Sequence, residues 1–316
     1  MYIDEWRRLN GVWLHYQDWP GPADGAGRTE TLLLLHGLTQ QSHAFDPVAA
    51  RLRHRFRCVA LDFRGRGESQ WATGTYTVPQ YVVDVLALLD ALAVESPHVL
   101  GTSLGGLVGL SLSAVAPGRL RSLALNDIGP EIDPRGAARV AAYAAAVPDA
   151  FPDLAAAAAW ALEQYPWLAG LPPGAVSDAV RWAVRREPDG QWRLKFDPAI
   201  GRAPRPTPDA ARAASRQWWT ALESLECPIV LLRGTESDIL SPSTAAGMVA
   251  RQSRVVRIDV PGVGHAPALT EPVAAAALDA FYLGGFPDGA RAGVSGGAAP
   301  GTHGGDRMPR TWASDR

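Results

Sequence analysis

Three features of the sequence predict an α/β protein built on a mostly parallel sheet with helices on both faces. Short apolar runs, suited to strands covered on both sides, alternate with stretches of helical period. One Gly-x-Ser-x-Gly, Gly101-Thr102-Ser103-Leu104-Gly105, stands between such a run and such a helix. Polar residues with catalytic chemistry follow predicted strands, where sites form in sheets of this kind. The chain of 316 residues is long enough for one large domain with an insertion.

Taken in order, residues 5–9 and 12–18 predict a hairpin turning at Asn10-Gly11, a strong two-residue turn signal. Residues 20–29 are a loop rich in Gly, Pro and Asp. The run 31–35 is a strand that ends in His36-Gly37-Leu38-Thr39, and residues 45–53 carry helical spacing. The strand 57–61 closes on Asp62-Phe63-Arg64-Gly65-Arg66-Gly67-Glu68-Ser69. Residues 78–92 repeat apolar side chains at three and four, with Asp84 and Asp90 on the opposite side, which predicts an amphipathic helix. The strand 98–102 leads into Ser103 and the helix 104–115, and a strand at 120–125 ends in Asn126-Asp127.

The alternation then stops until a strand at 228–232. Residues 131–216 are rich in Ala, Pro and Trp, with short helices expected at 136–147, 150–164 and 175–185. This stretch is too long for one crossover and too apolar for a disordered linker, so it is expected to be an inserted helical cap. The core is expected to comprise 1–130 and 217–285, with a helix in 208–225, another near 243–251, a strand at 255–260 and a last helix at 272–283. Residues 286–316, mostly Gly, Ala, Arg, Pro and Asp, have little to bury and are expected to be disordered.

A hydrophobic content of 47% and a net charge of −2 give no reason to expect nucleic acid or an anionic membrane as partner. Cys58 and Cys227 border apolar runs and read as small buried hydrophobes rather than disulfide or metal ligands. Residues 1–10 are charged and lack an apolar stretch, so no signal peptide is expected. No run approaches the length of a membrane span, and a cytoplasmic enzyme is the expectation.

The chemistry follows from the strand ends. A serine between strand and helix, flanked by Gly101 and Gly105, matches a nucleophile elbow; a helix N-cap would be its purely structural role. A serine hydroxyl needs a base to take its proton, and His265, in the Gly- and Pro-rich loop after the last strand, is the natural one. A carboxylate must fix the tautomer of that histidine. Asp238 follows the strand before His265 and is expected in that role, while Asp127, after the strand 120–125, is the alternative. The Leu104 N–H, at a helix N-terminus, and the Leu38 N–H, beside Gly37, are expected to form the oxyanion hole.

These motifs resemble the α/β-hydrolase superfamily in its capped form. The resemblance rests on His36-Gly37 after a strand, Asp62-x-Arg64-Gly65-x-Gly67-x-Ser69, Gly101-x-Ser103-x-Gly105, Asp238 and Gly264-His265, across residues 31–267. It implies a sheet of about eight strands with the cap after the sixth. It also implies Ser103 as nucleophile, His265 as base, Asp238 as acid and Leu38 and Leu104 as oxyanion donors; separately, neither a cofactor nor a metal is expected. Branches with an aspartate nucleophile do not match, since Ser103 occupies that place.

The remaining polar residues have structural expectations. His36 should be buried and hydrogen-bonded, Asp62 should brace its turn, and Arg64 should form a salt bridge. His15, His43, His54 and His98 are expected on the surface, and His303 lies in the tail. Trp160, Trp167, Trp182 and Trp192 should mainly pack the cap, with one or two facing substrate. The function expected is a serine hydrolase that cleaves a small carboxylic ester or lactone through an acyl-enzyme. C–C bond hydrolysis of a diketone-like substrate, acyl transfer and a non-catalytic receptor on the same fold are the alternatives. The sequence does not specify an oligomeric state.

Overall fold

The computed structural model describes residues 1–22, 29–72, 76–164 and 174–284. The expected tail 286–316, with His303, lies outside the described residues, as does Trp167. The chain opens with the hairpin of β1 (Ile3–Leu9) and β2 (Val12–Trp19), whose turn holds Asn10 and Gly11 at φ of 50° and 80°. Both central residues of this turn type need positive φ, which Asn and Gly tolerate. β3 (Thr31–Leu35), β4 (Arg57–Leu61), β5 (His98–Thr102) and β6 (Ser122–Asn126) follow, separated by α1 (Asp46–Leu52), α2 (Val78–Ala91) and α3 (Leu104–Val115).

The insertion carries α4 (Pro134–Ala145), α5 (Leu154–Gln164), α6 (Ala175–Ala183), the strands β7 (Val184–Arg186) and β8 (Trp192–Leu194), and α7 (Pro198–Gly201). The chain returns through α8 (Pro208–Ser224), β9 (Ile229–Gly234), α9 (Pro242–Arg251), β10 (Val255–Val260) and α10 (Pro272–Leu283). Eight strands form one sheet in the order β1-β2-β4-β3-β5-β6-β9-β10, parallel from β4 to β10 and antiparallel at β1 and β2.

The strands are apolar on both sides because both faces are covered. Leu33 and Leu35 of β3 join the core under α2, α3, α8 and α9, whereas Leu32 and Leu34 join the core under α1 and α10. The period of two along one strand feeds two hydrophobic layers. Among the described residues, no helix is long and apolar enough to cross a membrane.

Several buried polar groups depart from the sequence reading. His15 is 1% exposed: its Nδ1 lies 2.7 Å from Asp62 Oδ2 and its Nε2 3.1 Å from Asp4 Oδ1. Both nitrogens face carboxylates, which accept only, so the ring is an imidazolium. Burial pulls the His15 pKa down, but the bonds to Asp4 and Asp62 outweigh it and raise it to about 9. His98 is buried on β5 against Ser122, with its ring edge-on to those of Phe56 and Tyr282. His43 stacks on Trp182 of α6 at a centroid distance of 3.8 Å and bonds Asp46 and Gln17. Asp84, expected on the polar side of α2, is buried and takes both Nε and Nη2 of Arg64, at 2.6 and 2.7 Å. His54 is exposed, as expected. In each corrected case a side chain from a distant segment supplies the polar partner, and local period does not register that partner.

The cap also departs in detail. The helix expected at 175–185 ends at Ala183, and the chain enters the β7–β8 hairpin. Three-residue strands are too short for a period to emerge; the Asp189-Gly190 pair, with Gly190 at φ 82°, is the one local trace of the turn. The cap then joins the core by strand-like bonds: the Gly67 N–H donates to the Lys195 carbonyl at 2.8 Å and the Asp197 N–H to the Gly65 carbonyl at 2.9 Å.

Candidate active site

Ser103 sits between β5 and α3 with φ 50° and ψ −113°, a strained conformation for a residue with a Cβ. The strain is held by close packing on both sides. A Cβ on Gly101 would overlap the Gly105 backbone, and one on Gly105 would overlap the Leu35 carbonyl. The Ser103 N–H is anchored on the Asn126 carbonyl at 3.0 Å, and no side-chain cap bond to α3 forms, so the hydroxyl is left for His265.

His265 Nε2 lies 2.8 Å from Ser103 Oγ, and its Nδ1 lies 2.7 Å from Asp127 Oδ2. A carboxylate cannot donate, so Nδ1 carries the hydrogen and Nε2 is left to accept the serine proton. Asp127 is fully buried and follows β6 at φ 56°. It also accepts the Gly234 N–H at 2.9 Å and the Ser237 hydroxyl at 2.6 Å. The loop bearing His265 is tied back by Asn126, whose Nδ2 donates to the Pro267 carbonyl at 2.9 Å.

The expectation that Asp238 pairs with His265 is therefore corrected: Asp127 holds that position. Asp238 lies one residue past Ser237 with a side chain 37% exposed, and both its oxygens accept from Arg139 of α4, at 2.6 and 2.7 Å. The Arg139 bonds hold its carboxyl below the usual range. β6 and β9 are neighbours, so aspartates after either strand lie near the same site. Which one meets the imidazole depends on loop direction and on a cap arginine. A local sequence signal for Arg139 as the partner was absent.

On the other side of Ser103 lies the loop after β3. A Cβ on Gly37 would come 3.7 Å from the Ser103 Cβ. His36 is buried, as expected: its Nε2 accepts the Phe63 N–H at 3.0 Å, which leaves the hydrogen on Nδ1 to donate to the Gly37 carbonyl at 2.7 Å. Burial is the main reason that the His36 pKa falls to about 4, so the ring is neutral and this pattern stands near neutrality. Pinning the Gly37 carbonyl also turns the Leu38 N–H of the same trans peptide the opposite way.

The sequence reading gave no role to Arg66. It is fully buried, with Nε donating to the Leu38 carbonyl at 3.0 Å and Nη1 to the Arg64 carbonyl at 3.1 Å and to the Tyr81 hydroxyl. It braces the Leu38 loop from a segment that is itself bonded to the cap. Asp62 performs the expected bracing: it accepts the N–H groups of Ser42 and Glu68 at 2.6 and 2.9 Å. Burial would raise its pKa, but the His15 bond and the neighbouring positive charge hold it near 2. Trp160 and Trp192 pack inside the cap, and Trp182 meets His43 of the core.

Known proteins are similar to this chain in sequence and fold. A 3-hydroxybutyrate-oligomer hydrolase of Cupriavidus necator is 34% identical over 276 residues, 85% of this chain and 92% of that protein. A 2-(acetamidomethylene)succinate hydrolase of Mesorhizobium japonicum is 28% identical over 247 residues, 76% of this chain and 82% of that protein. The crystal structure of an alpha/beta hydrolase from Novosphingobium aromaticivorans superposes with a TM-score of 0.75 at 32% identity, covering 88% of this chain and 96% of that one. Residues 32–279, which span the elbow, the insertion and the His265 loop, match the sequence profile of the alpha/beta hydrolase family, and the chain belongs to that family.

Proposed function

We propose that the protein is a serine hydrolase that cleaves a small carboxylic ester through an acyl-enzyme, with Ser103 as nucleophile, His265 as base and Asp127 as acid. The observation that carries this reading is the continuous hydrogen-bonded path from Ser103 Oγ through His265 to the buried Asp127, at 2.8 and 2.7 Å. In this reading Ser103 Oγ attacks the ester carbon while His265 Nε2 takes its proton. Asp127 stabilises the imidazolium so formed. The oxyanion is met by the N–H groups of Leu38 and Leu104, the second at the N-terminus of α3. Collapse of the tetrahedral species breaks the ester C–O bond, and His265 returns the proton to the departing alkoxide. Water, deprotonated by His265, then releases the acid and restores Ser103. Protein groups supply each proton transfer, so the reading calls for no cofactor.

Ester chemistry is favoured by the similarity to the 3-hydroxybutyrate-oligomer hydrolase, because an oligomer of a hydroxy acid is joined by esters. The test is labelling by a fluorophosphonate together with a substrate panel of activated esters, lactones and hydroxybutyrate dimers, with products identified. Ser103→Ala is expected to abolish labelling and to lower kcat on the order of 10⁶-fold while the protein stays folded. A folded Ser103→Ala protein with near-normal turnover would end this reading.

A further inference from the structure

The loop after β9, where the sequence suggested the acid itself, supplies the groups that hold the acid. Two of the three donors to Asp127 come from it and from the last residue of β9: the Ser237 hydroxyl on Oδ2 and the Gly234 N–H on Oδ1. The direction of the Ser237 proton is determined by its neighbours. Its oxygen accepts the N–H groups of Ile239 at 3.2 Å and Leu240 at 3.1 Å. A hydroxyl has two lone pairs and one proton, so with both lone pairs engaged the proton points along the 2.6 Å contact to Asp127 Oδ2. That same oxygen accepts Nδ1–H of His265.

We infer that Ser237 is a positioning residue of the hydrolytic site, which locks the Asp127 carboxylate in the orientation that holds His265 against Ser103. The inference rests on the proposed Ser103–His265–Asp127 path. Asp127 is fully buried, so bulk water is not at hand to replace a lost donor. Without the Ser237 proton, Oδ2 keeps only the histidine bond, and the carboxylate is free to swing about the Gly234 contact on Oδ1. The imidazole then loses its fixed angle to Ser103 Oγ. Ser237 acts through Asp127, so its loss should be felt in the chemical step and not in substrate binding. Gly234 couples the same loop to the base: a Cβ there would overlap the carbonyl oxygens of Val263 and Gly264, just before His265.

The experiment uses the full chain and the variants Ser237→Ala, Ser237→Thr and Ser237→Cys. The readouts are kcat and KM on p-nitrophenyl butyrate, the rate of labelling by a fluorophosphonate, and far-UV circular dichroism for folding. Ser237→Ala is expected to lower kcat and the labelling rate together by about 10- to 100-fold, with KM within about twofold of the unsubstituted protein. Ser237→Thr keeps the hydroxyl and should retain kcat within about threefold. Ser237→Cys keeps the shape with a weaker donor and should fall between, which provides a reading should the alanine variant not fold. The proposal is overturned by unchanged kcat in folded Ser237→Ala or Ser237→Cys, by a threonine variant as impaired as the alanine one, or by a loss confined to KM. The unsubstituted protein is labelled first. If Ser103 does not react there, the serine-hydrolase reading fails; if it reacts and the variants react equally fast, only the role of Ser237 fails.

Discussion

Asp127 and Asp238 show how environment divides work between two like side chains. Asp127 is sealed from solvent, with three donors on two oxygens, and one donor is His265. Asp238 is more than one-third exposed and its carboxylate is filled by Arg139. A buried, fully bonded carboxylate keeps a fixed direction, as orienting an imidazole requires, whereas a half-exposed one in a surface ion pair does not. Asp127→Asn is therefore expected to lose roughly 10⁴ in kcat, because the amide can select the wrong histidine tautomer. Asp238→Asn is expected to keep kcat within about threefold. Steady-state kinetics of the two folded variants decide the matter, and equal losses would contradict the assignment.

At the scale of elements, the cap is held at separate points on the core. Trp182 of α6 stacks on His43 with an interplanar angle of 17°, Arg139 of α4 grips Asp238, and residues 195–197 bond to the loop that contains Arg66. The Arg139–Asp238 pair is exposed enough to add less than about 1 kcal/mol to stability. Its consequence should instead be the position of α4 over the strand ends. Arg139→Ala and Trp182→Ala are expected to leave Tm within a few degrees while changing KM for long-chain esters more than for p-nitrophenyl acetate. An identical change in kcat/KM across a chain-length series would show that these joints do not set substrate preference.

For the whole molecule, two buried histidines give the stability curve opposite slopes. The His15 pKa is raised to about 9 in the fold, so its contribution is complete below the unfolded value of 6.5 and is lost as pH rises through about 9. The His36 pKa is lowered to about 4, so the unfolded chain takes up a proton that the folded chain refuses, and stability falls as pH drops from 6.5 towards 4. Asp62 and Glu30, both held near 2, lose their contributions further down as pH falls through that value. Stability should peak near the ordinary histidine range, with losses on the order of 1–3 kcal/mol on either side. Urea midpoints at pH 5, 6.5 and 8.5 measure this. His15→Gln should flatten the alkaline side and leave the acid side in place. A midpoint that rises from pH 6.5 to 8.5 in the unsubstituted protein would contradict a charged His15.

The sheet, the elbow and the placement of Ser103 and His265 at strand ends were legible in the sequence because their signals are local. Runs such as Leu32–Leu35 report burial on both faces, and Gly101 and Gly105 report a close approach that admits no Cβ. The buried, hydrogen-bonded role of His36 was legible from its place after a strand beside Gly37, whose carbonyl it bonds, whereas its Phe63 partner, 27 residues on, was not. Contacts between distant segments were decided only by the tertiary structure. His15 and His98 read as surface residues until Asp62 and Ser122 arrive from other strands. The acid is the clearest case. Asp127 and Asp238 follow neighbouring strands, β6 and β9, and the sequence reading favoured Asp238. The choice comes from Ser237 and Gly234 turning inward on Asp127, while Arg139, from 99 residues away along the chain, draws Asp238 out to the cap.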